Sequence, residues 1–354
     1  MKYSAVNQSE WKGRETDTDL GVEYWYQLIE CLAIDKTFSL DKLSESSDTK
    51  FGIVGYACDA GVRRNKGRVG AKEGPKVIRE QLAKLAVHQK NVQICDMGDF
   101  VCEADEMEET QAAYAKTITH LLKNGITPIG LGGGHDLSYA HWSGIRSYLQ
   151  AQEEKPSIGI INFDAHFDLR ALEGKANSGT PFRQILEEVS DIDVGYFALG
   201  IQKNANTASL FTYADTHPKI HYKCLDELNY GASPLPNSIS WTLSDFMESY
   251  QKIYLTIDLD GFAAPYAPGV SAVSAFGLTP AAVAPLLNLI AKSGKLLAFD
   301  VAEMNPSFDL DNRTAKLAAQ LIDLVISSSV AVMDFSEPVD SNLVDSDQMK
   351  LESN

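Results

Sequence analysis

The sequence predicts an α/β fold built on a mostly parallel sheet covered on both faces by helices. Three observations predict it. From about Phe51 onward, short β-branched runs alternate with helical patterns. Runs such as "SIGII" are continuously apolar, as strands buried on both faces are, and no Pro/Gly/Ser-rich linker interrupts the series.

The elements follow in chain order. Strand "FGIVGYA" leads to helix "PKVIREQLAKLAV", then strand "NVQICDMGDF" to the long helix "EETQAAYAKTITHLLKNG". Strand "ITPIGLGGG" precedes helix "DLSYAHWSGIRSYL", and strands "SIGIINFDAH" and "VGYFALGI" come next. "KIYLTIDLD", helix "LTPAAVAPLLNLIAKSG", strand "KLLAFDVAEMNP" and "TAKLAAQLIDLVISSSVAVMDF" complete the series. Alternation of the two periods over residues 51–336 reads as one domain. Residues 1–50 form an N-terminal arm, in which "VEYWYQLIECLAI" is expected to be a helix packed on the core. The polar, acidic tail 337–354 is expected to fray.

Composition narrows the function. In 354 residues, 44% hydrophobic content supplies a sizeable core. A net charge of −17 argues against a nucleic-acid or anionic-lipid surface, since both demand clustered Lys and Arg. A small-molecule ligand is the better expectation. No apolar run approaches the ~20 residues that cross a bilayer, so the expected location is the cytoplasm. Five scattered cysteines with no CxxC pair indicate neither a disulfide framework nor a thiolate zinc site.

In open parallel sheets, ligands bind outside the carboxyl ends of the strands. His135 follows "ITPIGL" behind three glycines, which let the backbone turn tightly. Asp164, His166 and Asp168 occupy every second position after "SIGIINF", Asp258 and Asp260 end "KIYLTIDLD", and Glu303 follows "KLLAFDVA". Two histidines and four aspartates then face one rim. Nitrogen and oxygen donors without thiolate suit a divalent first-row ion such as Mn²⁺. Four carboxylates against one such ion leave a charge of −2 in a cleft, whereas two ions balance them. A pair of ions can lower the pKa of a shared water from ~15.7 toward ~7.

These motifs resemble the ureohydrolase superfamily of arginases and agmatinases, whose signatures are a Gly-Gly-x-His turn, an Asp-x-His-x-Asp loop and a later Asp-x-Asp. Within it, "GVRRNKGRVGAKEGP", "NFDAHFDLR", "SGTPFRQI", "YFALGIQKNANT", "APGVSA" and "FDVAEMNPSFDLDNRTAKLAA" are most similar to the formimidoylglutamase family, in order from about residue 50 to 335. The resemblance implies a three-layer α/β/α arginase-like fold, two Mn²⁺ per chain and a homo-oligomer. It implies Asp164 and Asp258 as bridging ligands, His135 and Asp168 completing one ion's shell, and His166 and Asp260 the other's. Glu303 would contact the substrate's amidinium.

The implied reaction is hydrolysis of N-formimidoyl-L-glutamate to L-glutamate and formamide, a step of histidine degradation. An amidinium carbon is a poor electrophile for neutral water, so a metal-bound hydroxide is the expected nucleophile. Asp168 is the candidate catalytic relay for the proton of the attacking water. Ser178, in "SGTPF", stands where arginases and agmatinases carry a proton-shuttling histidine, which leaves the final proton donor open. The substrate's two carboxylates call for local cations, and Arg170, Arg63, Arg64 and Arg68 are the candidates, Arg170 first by its position after the ligand loop. The alternatives are another ureohydrolase, for agmatine or a guanidino acid, and a non-catalytic ligand-binding member of the fold.

Overall fold

The apolar runs pair side by side in the computed structural model, which describes residues 1–15, 21–34, 49–89, 91–152, 154–188 and 191–330. Its strands are β1 (Lys2–Ser4), β2 (Ile29–Cys31), β3 (Thr49–Ala57), β4 (Val92–Val101) and β5 (Thr127–Gly132), then β6 (Ile158–Phe163), β7 (Val194–Ile201), β8 (Ile220–Cys224), β9 (Lys252–Asp258) and β10 (Leu296–Ala302). They form one sheet in the order β1-β4-β3-β5-β10-β9-β6-β7-β8, with β2 also on β4. Every pairing is parallel except β1 with β4.

The longer connections are helical: α1 (Trp25–Leu28), α2 (Ala60–Arg64), α3 (Gly74–Leu82), α4 (Met107–Lys123), α5 (Leu137–Gln150), α6 (Pro181–Glu188), α7 (Ala208–Thr216), α8 (Asn237–Glu248), α9 (Pro280–Lys292) and α10 (Arg313–Ser329). Alternation along each strand feeds two cores. Ile53 and Ile161 pack with Ile78 of α3, Leu287 of α9 and Ile322 of α10, while their neighbours Val54 and Ile160 pack with Ile118 of α4, Ile145 of α5 and Ile185 of α6. Each fully buried side chain of this size contributes about 1.5–3 kcal/mol by leaving water, so both faces hold the strands in register. This is the three-layer arrangement expected.

The arm departs from expectation. Its helix is only the four residues of α1, and the chain then runs as β2 along β4. The edge of β4 offers unpaired backbone groups that an extended "IEC" satisfies and a helix cannot. Trp25 is buried and its Nε1 donates to Asp323 on α10. Trp11 Nε1 donates to Asp96, which also takes two bonds from buried Arg79. Among the described residues, no helix is long and apolar enough to cross a membrane. The acidic tail 337–354 lies outside the described residues.

Candidate metal centre

β5, β10, β9 and β6 are consecutive neighbours and parallel, so their carboxyl ends share one edge. The glycine turn after β5 brings His135 to that edge. A Cβ on Gly133 would lie 1.8 Å from the Cys58 carbonyl oxygen, which excludes any larger residue there. Asp164, His166 and Asp168 emerge beyond β6, Asp258 and Asp260 at the end of β9, and Glu303 beyond β10. Asp168 and Glu303 adopt φ of 49° and 67°, left-handed conformations that are uncommon for residues carrying a side chain.

Two sets of donor atoms result. His135, Asp164, Asp168 and Asp258 each place one donor within 4.8 Å of the others, as do Asp164, His166 and Asp260. Asp164 belongs to both sets, and Asp258, expected to bridge as well, stands beside it in the first. His135 Nδ1 lies 2.8 Å from Asp168, 3.0 Å from Asp258 and 3.2 Å from Asp164. His166 Nδ1 lies 3.2 Å from Asp260 and 3.5 Å from Asp164.

The local backbone aims these groups. Asp258 Oδ1 accepts from Asp260 N and Asp164 Oδ1 from His166 N, both at 2.7 Å. Thr256 Oγ1 donates to Asp300 at 2.7 Å and lies 3.0 Å from His135 Nε2. The hydroxyl proton is therefore committed to Asp300, so Nε2–H donates to Thr256 and Nδ1 is left to face the carboxylates. Buried carboxylates and imidazoles this close, all oxygen and nitrogen donors, fit a pair of divalent ions.

A cavity of about 200 Å³ opens above this floor, lined by ligand carboxylates, Glu303, Ser271, Arg170, Ser178 and Asn65, among others. That volume suits a small polar molecule.

The sequence pattern of the arginase family matches residues 49–327. The chain belongs to the arginase family. It is 37% identical over 334 residues to the formimidoylglutamase of Clostridium tetani (strain Massachusetts / E88), covering 93% of this chain and 96% of that one. With the formimidoylglutamase of Vibrio parahaemolyticus serotype O3:K6 (strain RIMD 2210633) it shares 42% over 336 residues, 91% and 94% of the two chains. Trypanosoma cruzi formiminoglutamase, solved with Mn²⁺₂, superimposes with a TM-score of 0.69 at 26% identity, covering 80% of this chain and 94% of that one. Bacillus subtilis formimidoylglutamase shares the fold with a TM-score of 0.73 at 21% identity, over 89% and 94%.

Of the basic candidates, this arginase-family cavity is lined by Arg170 alone. Arg63 is held by Asp59 and the Ala104 carbonyl, and Arg64 by Asp105, Glu108 and the Ala176 carbonyl. Arg68 donates to the Val270 and Ser271 carbonyls and stacks 3.9 Å over Phe308. Their charges are spent on the walls. Sequence reasoning missed Asn65 and Ser271; the only signal was that both lie in stretches quoted for other reasons, "GVRRNKGRVG" and "APGVSA".

Crowding sets the protonation of the metal-free site. Burial, reinforced by neighbouring carboxylates, raises Asp258 well above the usual range, Asp260 to about 6 and Glu303 to about 8, and it raises Asp168 as well. Asp260, against burial, raises the His166 imidazolium. Burial opposes the charge on His135, but Asp258, Asp164 and Asp168 outweigh it and raise its pKa too. Burial would also raise Asp164, yet the two imidazoles hold it below the carboxylate range.

Between the ordinary carboxylate range and these raised values, the folded protein binds more protons than the unfolded chain, so stability falls as pH rises. The imidazoles act in the same direction above about pH 6.5. Asp164 acts oppositely, only below about pH 4. Metal-free protein is therefore expected to melt at progressively lower temperature from about pH 4 to pH 8, and Mn²⁺ to raise the midpoint most at pH 8. Thermal scans with and without a chelator check this; a midpoint flat or rising over that range contradicts it.

Proposed function

We propose that the chain hydrolyses N-formimidoyl-L-glutamate to L-glutamate and formamide, using two Mn²⁺ ions. As a hydrolase of the carbon–nitrogen bonds of linear amidines, it stands among relatives named formimidoylglutamase at 37–42% identity. One observation carries the reading furthest: two ligand sets sharing Asp164 form the floor of a cavity whose wall, among the described residues, holds one guanidinium, that of Arg170.

His135, Asp164, Asp168 and Asp258 would hold one ion, and Asp164, His166 and Asp260 the other. Bound there, divalent ions would supply a water acidified from ~15.7 toward ~7, a nucleophile at neutral pH. Glu303 holds the substrate's cation. Its Oε1 accepts from His135 N at 3.0 Å, and its buried Oε2 has no hydrogen-bond partner. The anchored oxygen fixes the carboxylate, and the free one accepts an amidinium N–H. Asp168, partly open to the cavity, would take the water's proton and deliver it to the departing α-nitrogen, which leaves as an amine only when protonated.

Arg170 reads a carboxylate. Arg170→Ala is expected to cost roughly 1.5–3 kcal/mol, about 10- to 150-fold in kcat/KM, the range for a charged hydrogen bond. Steady-state kinetics on folded variant decide it; unchanged values remove Arg170 from recognition. Release of formamide and glutamate by the Mn²⁺-loaded protein tests the function itself.

A further inference from the structure

Among the described residues the cavity offers one guanidinium to a substrate with two carboxylates, so the neutral donors beside it decide which carboxylate it reads. Asn206 has nothing left to offer. Its Nδ2 donates to the Ala165 and Gln202 carbonyls, and its Oδ1 accepts from Phe167 N. Ser271 lies beside Glu303, at the amidinium end.

Asn65 differs. It follows α2, and its Nδ2 donates to Ser178 Oγ at 3.2 Å, which occupies one of its two amide N–H bonds. Ser178 accepts that bond and keeps its own proton to donate. A Cβ on Gly179 would sit 3.0–3.2 Å from Arg170 Cδ and Nε and from Asn65 Nδ2, so the guanidinium and the amide meet over this glycine. Arg170 has no carboxylate partner among the described residues. Three kinds of donor thus converge: a guanidinium, an amide N–H and a hydroxyl. A carboxylate, with about four lone-pair positions, accepts from all of them.

We infer that Asn65, with Ser178 and Arg170, clamps the side-chain carboxylate of the substrate and that Asn65 is a specificity-determining residue. The inference rests on the substrate proposed above. The formimidoyl carbon is carried by the α-nitrogen, so the α end lies over Glu303 and the ligand sets. The side-chain carboxylate lies two methylenes further on. The clamp stands toward solvent, since Arg170 is exposed whereas Asp164, Asp258 and Asp260 are buried.

The test compares wild type, Asn65→Leu and Asn65→Asp, all Mn²⁺-loaded, on N-formimidoyl-L-glutamate and on N-formimidoyl-L-2-aminobutyrate, which lacks the side-chain carboxylate. Circular dichroism and Mn²⁺ content verify that each variant folds and loads. Asn65→Leu is expected to raise KM for the glutamate derivative about tenfold or more with kcat within about threefold. The nearly isosteric Asn65→Asp, which sets a carboxylate against a carboxylate, should raise it further. On the aminobutyrate derivative all three proteins should agree in kcat/KM within about twofold. Equal losses on both substrates, or no loss on the glutamate derivative, overturn the clamp while leaving the proposed activity standing. A wild type that hydrolyses neither compound overturns the activity itself, and the clamp with it.

Discussion

Asp164→Asn should reduce kcat/KM by at least about 100-fold, the upper figure for losing even an outer-shell partner of a metal site. Asp164 is the one aspartate common to both ligand sets, and it is fully buried. Its oxygens already accept from His166 N at 2.7 Å and Asn162 Nδ2 at 3.0 Å. An asparagine keeps the shape but removes a charge from both sets, and its NH₂ would face a donor where the carboxylate offered an acceptor. Metal analysis of the variant should show fewer than two ions per chain. A variant that keeps both ions and wild-type turnover would contradict the shared-ligand reading.

The Mn²⁺-loaded protein should release formamide and glutamate from N-formimidoyl-L-glutamate, with urea from arginine or agmatine lower by about 100-fold or more in kcat/KM. Arginine's carboxylate lies one bond further from its guanidinium carbon than the side-chain carboxylate of the glutamate derivative lies from the formimidoyl carbon. If Arg170 holds the acid and Glu303 the cation, that spacing displaces the reacting carbon, and an error of 1 Å there already costs ~100-fold. Agmatine brings no carboxylate to Arg170 at all, and its second cation meets the donors of Asn65 and Ser178. Position 178 carries a hydroxyl where the family resemblance places a proton-shuttling histidine in arginases. Urea formation from either compound at a kcat/KM matching that of formimidoylglutamate would favour the other ureohydrolase reading.

The floor of the site was legible because it is written in local rules. Side chains two apart at the end of a buried strand leave the same way, and parallel strands bring their carboxyl ends together. His135, Asp164, His166, Asp168, Asp258, Asp260 and Glu303 all follow from that. The walls were not legible, since they depend on contacts between distant loops. Asn65 meets Ser178 across 113 residues, and Arg64 is neutralised by Asp105 and Glu108, 41 and 44 residues away. Nothing in "GVRRNKGRVG" distinguishes an arginine spent on a wall from one facing a ligand. In the fold, β2 lies where a helix was expected, because the open edge of β4 outweighed the helical look of "VEYWYQLIECLAI". β8, "IHYKC", was overlooked, being a five-residue strand whose middle three residues are not buried.

Titrating Mn²⁺ into metal-free protein while following formamide release from N-formimidoyl-L-glutamate tests the central claim most directly. Activity is predicted to rise to a plateau at two ions per chain, the number that balances the four aspartates. A plateau at one ion per chain, or two bound ions with no formamide formed, would contradict it.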